Sequence, residues 1–375
     1  MQRVKETQLA ITKQWNNKTV FLSMQMTTGT LRSCPAANAT DGPNNIPEVI
    51  PFTNCTRCYE WDYNINPAAA DTIRAYMLYT LFLIESYNPL YVNFAPEINL
   101  PQRLCPNQWN GLVNASNHIY QAIKLLTPSV QKAFPSLQLE VIMGLQSGPD
   151  QPCKGMGTGS PNPPPQLDTC INNGLALVND LQRDAFAIST YPGNQHAGLP
   201  PPTNVPFESW YFPVVFEKLS IEDKNNLIIA ETGFISDNSV VNLGNGTIGK
   251  DTTTTETDPL ECEPLEISDI TLAETWLNYT ITQAQTYSMI FMVWWSDYDL
   301  LASAAMSTCP CNVTVPFTGS CTFISAFRQI YTGEGLPAWD GELNAKAFGT
   351  MGLRTTITGE KKESLYTLWN NARNN

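Results

Sequence analysis

Short apolar runs alternate along the chain with longer amphipathic segments. Each run is nearly continuous in aliphatic and aromatic residues, which is typical of parallel strands covered on both faces. Connections that enter a run are short, as at Phe134 to Ser136, whereas those that leave one are long and rich in Pro, Gly and Cys. The pattern predicts six buried strands, at residues 20–26, 90–95, 139–145, 185–190, 227–233 and 289–295.

Helical periodicity fills the segments between these runs. Residues 71–86 carry apolar side chains at helical spacing behind Asp71, a candidate N-cap, and a second helix is predicted from the capping box of Thr271 and Glu274. Repeated β-α units with elaborate loops after each strand are typical of barrels and open α/β sheets. We predict an α/β fold with one domain over residues 1–375. We expect a (β/α)8 TIM barrel that is N-terminally truncated, with strands three to eight present and the first two βα units missing. An open sheet is the weaker alternative, because no Gly-rich phosphate motif follows the first run.

The charge balance restricts the class of partner. The 375 residues include 21 Lys and Arg against 34 Asp and Glu, which gives a formal net charge of −13. Such a surface repels phosphate backbones and anionic lipid, so we expect no nucleic-acid partner. No apolar run approaches the length of a membrane span, and we expect a monomer that binds a neutral or cationic ligand.

Cysteines and glycosylation motifs indicate a secreted glycoprotein. Ten Cys residues suit an oxidising compartment, and all of them follow predicted strands, so we expect disulfide bonds on one face of the fold. Cys153 with Cys170, and Cys34 with Cys55 or Cys58, would each close a single loop, although spacing alone leaves the connectivity open. The N-terminal segment shows no apolar signal-peptide region. Seven N-x-Ser/Thr motifs support secretion, at Asn17, Asn38, Asn54, Asn114, Asn245, Asn278 and Asn312.

Two carboxylates, Glu97 and Glu231, stand at the ends of predicted strands. A Glu in so apolar a run is costly to bury, and at the carboxyl end of a barrel strand it faces the loops that bind substrate. Glycoside hydrolysis uses two carboxyl groups, one as the acid and one as the nucleophile, about 5 to 5.5 Å apart in retaining enzymes. We therefore expect this pair to face each other across the barrel mouth. The alternative is that each Glu binds an Arg or a backbone amide in a structural network.

Four motifs carry a family resemblance: PEINL at 96–100, STYPG at 189–193, IIAETGF at 228–234 and MVWWSD at 292–297. In this order on successive strands they resemble the clan A glycoside hydrolases, and within that clan family 53, the arabinogalactan endo-β-1,4-galactanases. The resemblance implies a retaining (β/α)8 enzyme with Glu97 as acid/base and Glu231 as nucleophile. It also implies Tyr191 as a hydrogen-bond partner of Glu231 and Trp295 as a platform for a sugar ring.

Further residues are candidates for substrate binding. Asn99 matches the second Asn of the family motif, Trp294 is adjacent to Trp295, and His196 lies near Tyr191 in a Pro/Gly-rich loop. Pro96 stands where the family has the Asn that bonds the sugar 2-hydroxyl. This departure supports an alternative function, a non-catalytic extracellular carbohydrate-binding protein on a degraded hydrolase barrel. A structural glycoprotein is a third, weaker possibility.

The sequence contains few histidines for metal binding or for a Ser-His-Asp triad. Only two His residues occur, so zinc sites and Ser-His-Asp triads are disfavoured, and we expect neither a metal nor a cofactor. Cys55 and Cys58 have the spacing of a redox or metal pair, but the eight other cysteines favour disulfide bonding. The sequence therefore predicts a retaining glycoside hydrolase whose substrate is a β-linked, galactan-like polysaccharide or oligosaccharide.

Overall fold

The structure is a computed structural model. It describes residues 19–28, 34–35, 37–41, 47–51, 58–103, 105–144, 166–191, 210–236, 240–242, 262–264, 270–299, 345, 349, 351–355 and 359–374.

Strands and helices alternate along the described part of the chain. The strands are β1 (Phe21–Ser23), β2 (Thr27–Thr28), β3 (Cys34–Pro35), β4 (Ala37–Asp41), β5 (Pro47–Pro51), β6 (Tyr91–Ala95), β7 (Lys132–Gln138), β8 (Phe186–Thr190), β9 (Leu227–Thr232), β10 (Val240–Asn242), β11 (Cys262–Pro264), β12 (Phe291–Trp294), β13 (Ser296–Tyr298) and β14 (Gly352–Arg354). The helices are α1 (Ala68–Tyr87), α2 (Trp109–Leu126), α3 (Leu139–Ile142), α4 (Leu167–Val178), α5 (Pro213–Phe216), α6 (Ile221–Lys224), α7 (Ile270–Thr286) and α8 (Glu363–Asn374).

One sheet holds six strands in the order β1-β6-β7-β8-β9-β12. The strands are parallel and the sheet curls into a half-barrel, which is compatible with part of a (β/α) barrel. Strand order follows chain order, as expected when each strand is joined to the next by a helical crossover. The predicted mixed α/β fold with a parallel sheet is therefore confirmed. Four further two-stranded pairings lie outside this sheet: β2 with β3, β4 with β5, β10 with β11, and β13 with β14.

Five of the six predicted strands are confirmed, and the third was placed one element too late. The run at 139–145 begins with helix α3, and the strand is the preceding segment Lys132–Gln138. Periodicity cannot separate a buried strand from a short buried helix, and Pro135 made the true strand resemble a connection. In the structure Pro135 pairs with Ala95 at a register shift between β6 and β7, where a residue without an N–H is tolerated.

Helix α1 confirms the predicted helix at 71–86 and begins earlier than expected. Its N-terminal boundary is Pro67, so the prediction of Asp71 as N-cap was wrong, and Asp71 lies within the first turn. The helix ends at Tyr87 and is capped by Asn88, which has φ of 46° and donates its N–H to the Ile84 carbonyl. An Asn adopts this left-handed conformation more easily than most residues and so stops the helix directly before β6.

The chain divides into two compact units. The first contains Met1–Ile142, Asn172–Ser189 and Asn226–Ala230, and the second contains Met143–Ile171, Thr190–Asn225 and Glu231–Asn375.

A disulfide bond in the first unit joins the segment before α1 to the segment after β6. It links Cys58 to Cys105, with Cα atoms 5.3 Å apart. The suggested closure of one loop by Cys34 and Cys58 is therefore wrong, because Cys58 is bonded to Cys105. Cys170 is also disulfide-bonded, but it lies inside helix α4 and not in a loop as expected.

Aromatic side chains stack on one another in the core of the second unit. Phe212 stacks on Trp276 of α7 with ring centroids 5.6 Å apart, and on Phe216 at 5.4 Å.

A buried ion pair joins Lys362 to Asp299 at 2.7 Å, and Lys362 also donates to the Ser236 hydroxyl. The two contacts of Lys362 hold the segment after β9 and Asp299 against the residue that precedes α8.

Among the described helices, none combines the length and apolarity that a membrane crossing requires.

Candidate active site

Glu231 and Tyr191, both in the second unit, form one hydrogen-bonded pair. Glu231 is the fifth residue of β9, and Tyr191 directly follows β8. The Tyr191 phenol donates to Glu231 Oε2 at 3.1 Å. The phenol is buried, with 2% of its surface exposed, while Glu231 is half-buried. A hydrogen bond from a buried donor fixes the orientation of this carboxylate, as a reacting group requires.

Threonines on the opposite face of the strands anchor this pair. Side chains alternate along a strand, so Thr190 and Thr232 point away from the face that carries Tyr191 and Glu231. The Thr232 hydroxyl donates to the Thr190 carbonyl at 2.9 Å and accepts from the Trp276 indole at 3.0 Å. Both threonines are fully buried. The ends of β8 and β9 are therefore joined behind the hydrogen bond between Tyr191 and Glu231.

Trp295 extends this cluster toward solvent. Its backbone N–H donates to the Thr232 carbonyl at 2.7 Å, which ties the residue after β12 to the end of β9. Its ring meets Tyr191 edge to face, with centroids 6.1 Å apart. Trp295 is 37% exposed, so part of a flat apolar surface is available beside the pair of Tyr191 and Glu231.

Trp294 is placed differently from its neighbour. It is buried, with 5% of its surface exposed, and its indole N–H donates to the Met351 carbonyl. This side chain fixes β12 against the segment that leads into β14. Of the two adjacent tryptophans, Trp295 is the one that offers exposed surface.

Gly233 allows Trp295 and Met351 to approach the end of β9. A Cβ atom at this position would lie 2.8 Å from Met351 Sδ and 3.3 Å from Trp295 Cβ. Both contacts are closer than ordinary van der Waals separation, which is about 3.5 to 4.0 Å between carbon atoms. The absence of a side chain at 233 therefore sets the distance between β9 and the Trp295 ring.

Glu97 belongs to the first unit and lies in the tight turn that follows β6. It is 8% exposed and has φ of 52°, a left-handed conformation that costs a non-glycine residue about 1 to 2 kcal/mol. The Ser136 hydroxyl of β7 accepts the Glu97 N–H at 3.1 Å, and the Ser136 carbonyl accepts the Ile98 N–H at 3.1 Å. Strained backbone that is held by its surroundings is common at active sites, and this conformation supports a functional role for Glu97.

Asn99 locks the same turn to the end of β7. Its amide donates to the Gln138 carbonyl at 3.0 Å, and its side-chain oxygen accepts the Gln138 N–H at 2.7 Å. Asn99 is fully buried. Both ends of the amide group are thus used to position the turn, which is the loop role that the sequence left open beside substrate binding.

Two residues of the first unit were missed because the third strand was misplaced. Ser136 was assigned to a connection, yet it holds the backbone of Glu97. Glu140, in α3 immediately after β7, is a carboxylate with 2% of its surface exposed. The signal was present in the sequence, since a single charge interrupts the apolar run at 139–145, but the assumed strand gave it no role.

The structure bears on only some of the other predicted site features. His196 lies outside the described residues. Glu97 and Glu231 belong to different compact units, and their pairing stays a prediction. In the described part of the chain, no group of three or more His, Cys, Asp or Glu side chains could hold a metal ion.

The chain was compared with protein-family models, curated proteins and solved structures. None of them matches it.

Proposed function

We propose that this chain is a retaining glycoside hydrolase that cleaves a β-linked, galactan-like polysaccharide by double displacement. The observation that carries the proposal is the Glu231 carboxylate at the end of a parallel strand, oriented by the buried Tyr191 phenol and flanked by the exposed Trp295 ring. A fixed carboxylate beside a partly exposed aromatic ring suits attack on a sugar that stacks on that ring.

In this reaction Glu97 is the acid/base and Glu231 is the nucleophile. Glu97 protonates the glycosidic oxygen while the Glu231 carboxylate attacks the anomeric carbon, which breaks the glycosidic bond and forms a glycosyl ester. Glu97 then takes a proton from water, and that water attacks the anomeric carbon and releases Glu231. Tyr191 keeps the carboxylate in position through Oε2.

We also propose that the protein is secreted. The disulfide bond between Cys58 and Cys105 supports this compartment, because such bonds persist in oxidising surroundings.

Hydrolysis of β-galactan, β-mannan, β-glucan and xylan by the purified protein tests the proposal. We expect reducing ends from the galactan and retention of the anomeric configuration in an NMR time course. Glu231→Gln and Glu97→Gln abolish release, whereas Glu85→Gln, an exposed control on α1, does not. Tyr191→Phe lowers the rate roughly 10- to 150-fold, since a hydrogen bond to a charged group contributes about 1.5 to 3 kcal/mol. An inverted product, or full activity of either glutamine variant, contradicts the assigned mechanism.

A second candidate is a carbohydrate-binding protein without turnover. Pro96 has no side-chain donor, and both ends of the Asn99 amide are bonded to Gln138. Neither residue therefore provides the free amide that the family motif uses to bind a sugar hydroxyl. This function predicts measurable glycan affinity without release of reducing ends in the same screen.

A further inference from the structure

Ser116 is a buried serine in the middle of helix α2. It is fully inaccessible to solvent, and its hydroxyl has no hydrogen-bond partner among the residues that the structure describes. The buried threonine hydroxyls on the described helices, by contrast, donate within their own helix. Thr80 donates to the Tyr76 carbonyl at 2.8 Å, and Thr280 donates to the Trp276 carbonyl at 2.8 Å.

An unsatisfied buried hydroxyl is a cost to the folded protein. The group loses its bonds to water and gains none in return, and Ala has a higher helix propensity than Ser at an interior helical position. The folded structure therefore gives no reason for a hydroxyl at Ser116. A requirement that acts before the chain folds would account for the hydroxyl.

The Ser116 hydroxyl belongs to a glycosylation motif that begins at Asn114. Asn114 lies two residues before Ser116 in an Asn-Ala-Ser motif, on the same helix, and its side chain is exposed. N-linked glycosylation recognises the Asn and the hydroxyl two residues later in an extended, unfolded chain. We propose that Asn114 carries an N-linked glycan and that the Ser116 hydroxyl serves that modification and not the folded structure.

The co-substrate is an oligosaccharide linked to a polyprenyl diphosphate. The side-chain nitrogen of Asn114 forms a bond to C1 of the first N-acetylglucosamine. The bond between C1 and the diphosphate oxygen breaks, the lipid diphosphate leaves, and the amide gives up one proton. The proposal requires passage through the secretory pathway and is independent of hydrolase activity.

The folded surface leaves Asn114 exposed for an attached sugar. Gly111, one turn earlier in α2, allows close approach of the preceding segment, since a Cβ there would lie 2.6 Å from the Asp62 nitrogen. This approach forms a depression lined by Trp61, Tyr63 and Asn114, among others. Tyr63 is 44% exposed, so its ring offers the first sugar an apolar surface.

Site mapping tests the modification. The full chain is secreted from a eukaryotic host behind a cleavable leader and is treated with peptide N-glycosidase in H2¹⁸O. We expect ¹⁸O-labelled Asp at position 114 in the peptide mass spectrum. Ser116→Thr keeps the label, and Asn114→Gln and Ser116→Ala each remove one glycan. Asn110→Gln, an exposed Asn one turn earlier that lies in no such motif, leaves the glycan in place. An unmodified Asn114 in the secreted protein overturns the proposal.

A second measurement tests the role given to Ser116. In the Asn114→Gln background no glycan is attached at this site, so any effect of Ser116→Ala reports on the folded protein alone. We expect the melting temperature to stay the same or rise, whereas Thr80→Ala in the same background lowers it. A lower melting temperature for Ser116→Ala would mean that the hydroxyl supports the fold, and the inference would be wrong. Neither measurement uses hydrolysis, so failure of the proposed function leaves both outcomes interpretable.

Discussion

Gly233→Ala should disturb the second unit by overpacking, and the structure identifies the atom responsible. The added Cβ would lie 2.8 Å from Met351 Sδ, whereas heavy atoms in contact prefer about 3.5 Å or more. The sulfur must therefore retreat by roughly 0.7 Å. Met351 is fully buried, so it has no solvent-exposed side toward which to move.

The expected loss of stability follows from two opposing contributions. Inserting a methyl group into a well-packed core costs about 1 to 3 kcal/mol. Replacing Gly by Ala also restricts the unfolded chain, which favours folding by about 0.4 to 1 kcal/mol. The difference between these contributions spans about 0 to 2.6 kcal/mol, and we expect Gly233→Ala to lower the free energy of unfolding by about 1.3 kcal/mol, the difference of their midpoints.

A double-mutant cycle with Met351→Ala isolates the contact. Met351→Ala alone should cost about 2 to 5 kcal/mol, because it leaves a cavity. It keeps the Met351 carbonyl that accepts the Trp294 indole N–H, so that hydrogen bond survives. In the double variant the new methyl group occupies part of the vacated space. The double variant should therefore be more stable than the sum of the single effects predicts, by about 1 to 2 kcal/mol.

Urea unfolding followed by circular dichroism supplies the four free energies of the cycle. Additivity within about 0.5 kcal/mol would show that residues 233 and 351 do not interact, and the steric argument would be refuted. Iodide quenching of tryptophan fluorescence reports separately on Trp295, which is partly exposed. Its quenching should change in Gly233→Ala and return toward the original value in the double variant, and a Trp295→Phe variant identifies its share of the signal.

Two further predictions concern the frame of each unit. Lys362→Met removes the cation that pairs with the buried Asp299 carboxylate, so the free energy of unfolding in urea should fall by about 3 to 5 kcal/mol. Combining Lys362→Met with Asp299→Leu should recover part of that loss. Equal stability of the single and double variants would contradict a buried ion pair. Replacing both Cys58 and Cys105 by Ser removes a crosslink between residues 47 positions apart. The chain-entropy relation then predicts that the free energy of unfolding falls by about 4 kcal/mol. An unchanged unfolding midpoint would show that this bond does not constrain the unfolded chain.

The parallel sheet was predictable because its central strands are buried on both faces. Long apolar runs at β6, β8, β9 and β12 carry that signal in the sequence itself. The third strand was missed for a local reason. Pro135 and the polar ends of Lys132–Gln138 resemble a connection, and only pairing with β6 at a register shift makes this segment a strand.

The sequence identified candidate residues for the site, but most of the contacts that hold them depend on tertiary structure. Positions at strand ends and the family resemblance single out Glu231 and Tyr191, and in the structure Tyr191 donates a hydrogen bond to Glu231. The role of Ser136 depends on a contact between residues 39 positions apart, which no local pattern encodes. The close approach at Gly233 likewise depends on Met351, which is far away in the sequence.

The turn that carries Glu97 is held by the neighbouring strand more than by its own. The N–H groups of Glu97 and Ile98 bind Ser136 of β7, while the Gln138 N–H of β7 binds the Asn99 side chain. These three amide hydrogens can reach solvent only when the turn separates from β7, so one opening event controls their exchange with deuterium. The backbone of Glu97 and the end of β7 thus form a single unit of local unfolding, and an opening that releases the Glu97 N–H also exposes the backbone of β7.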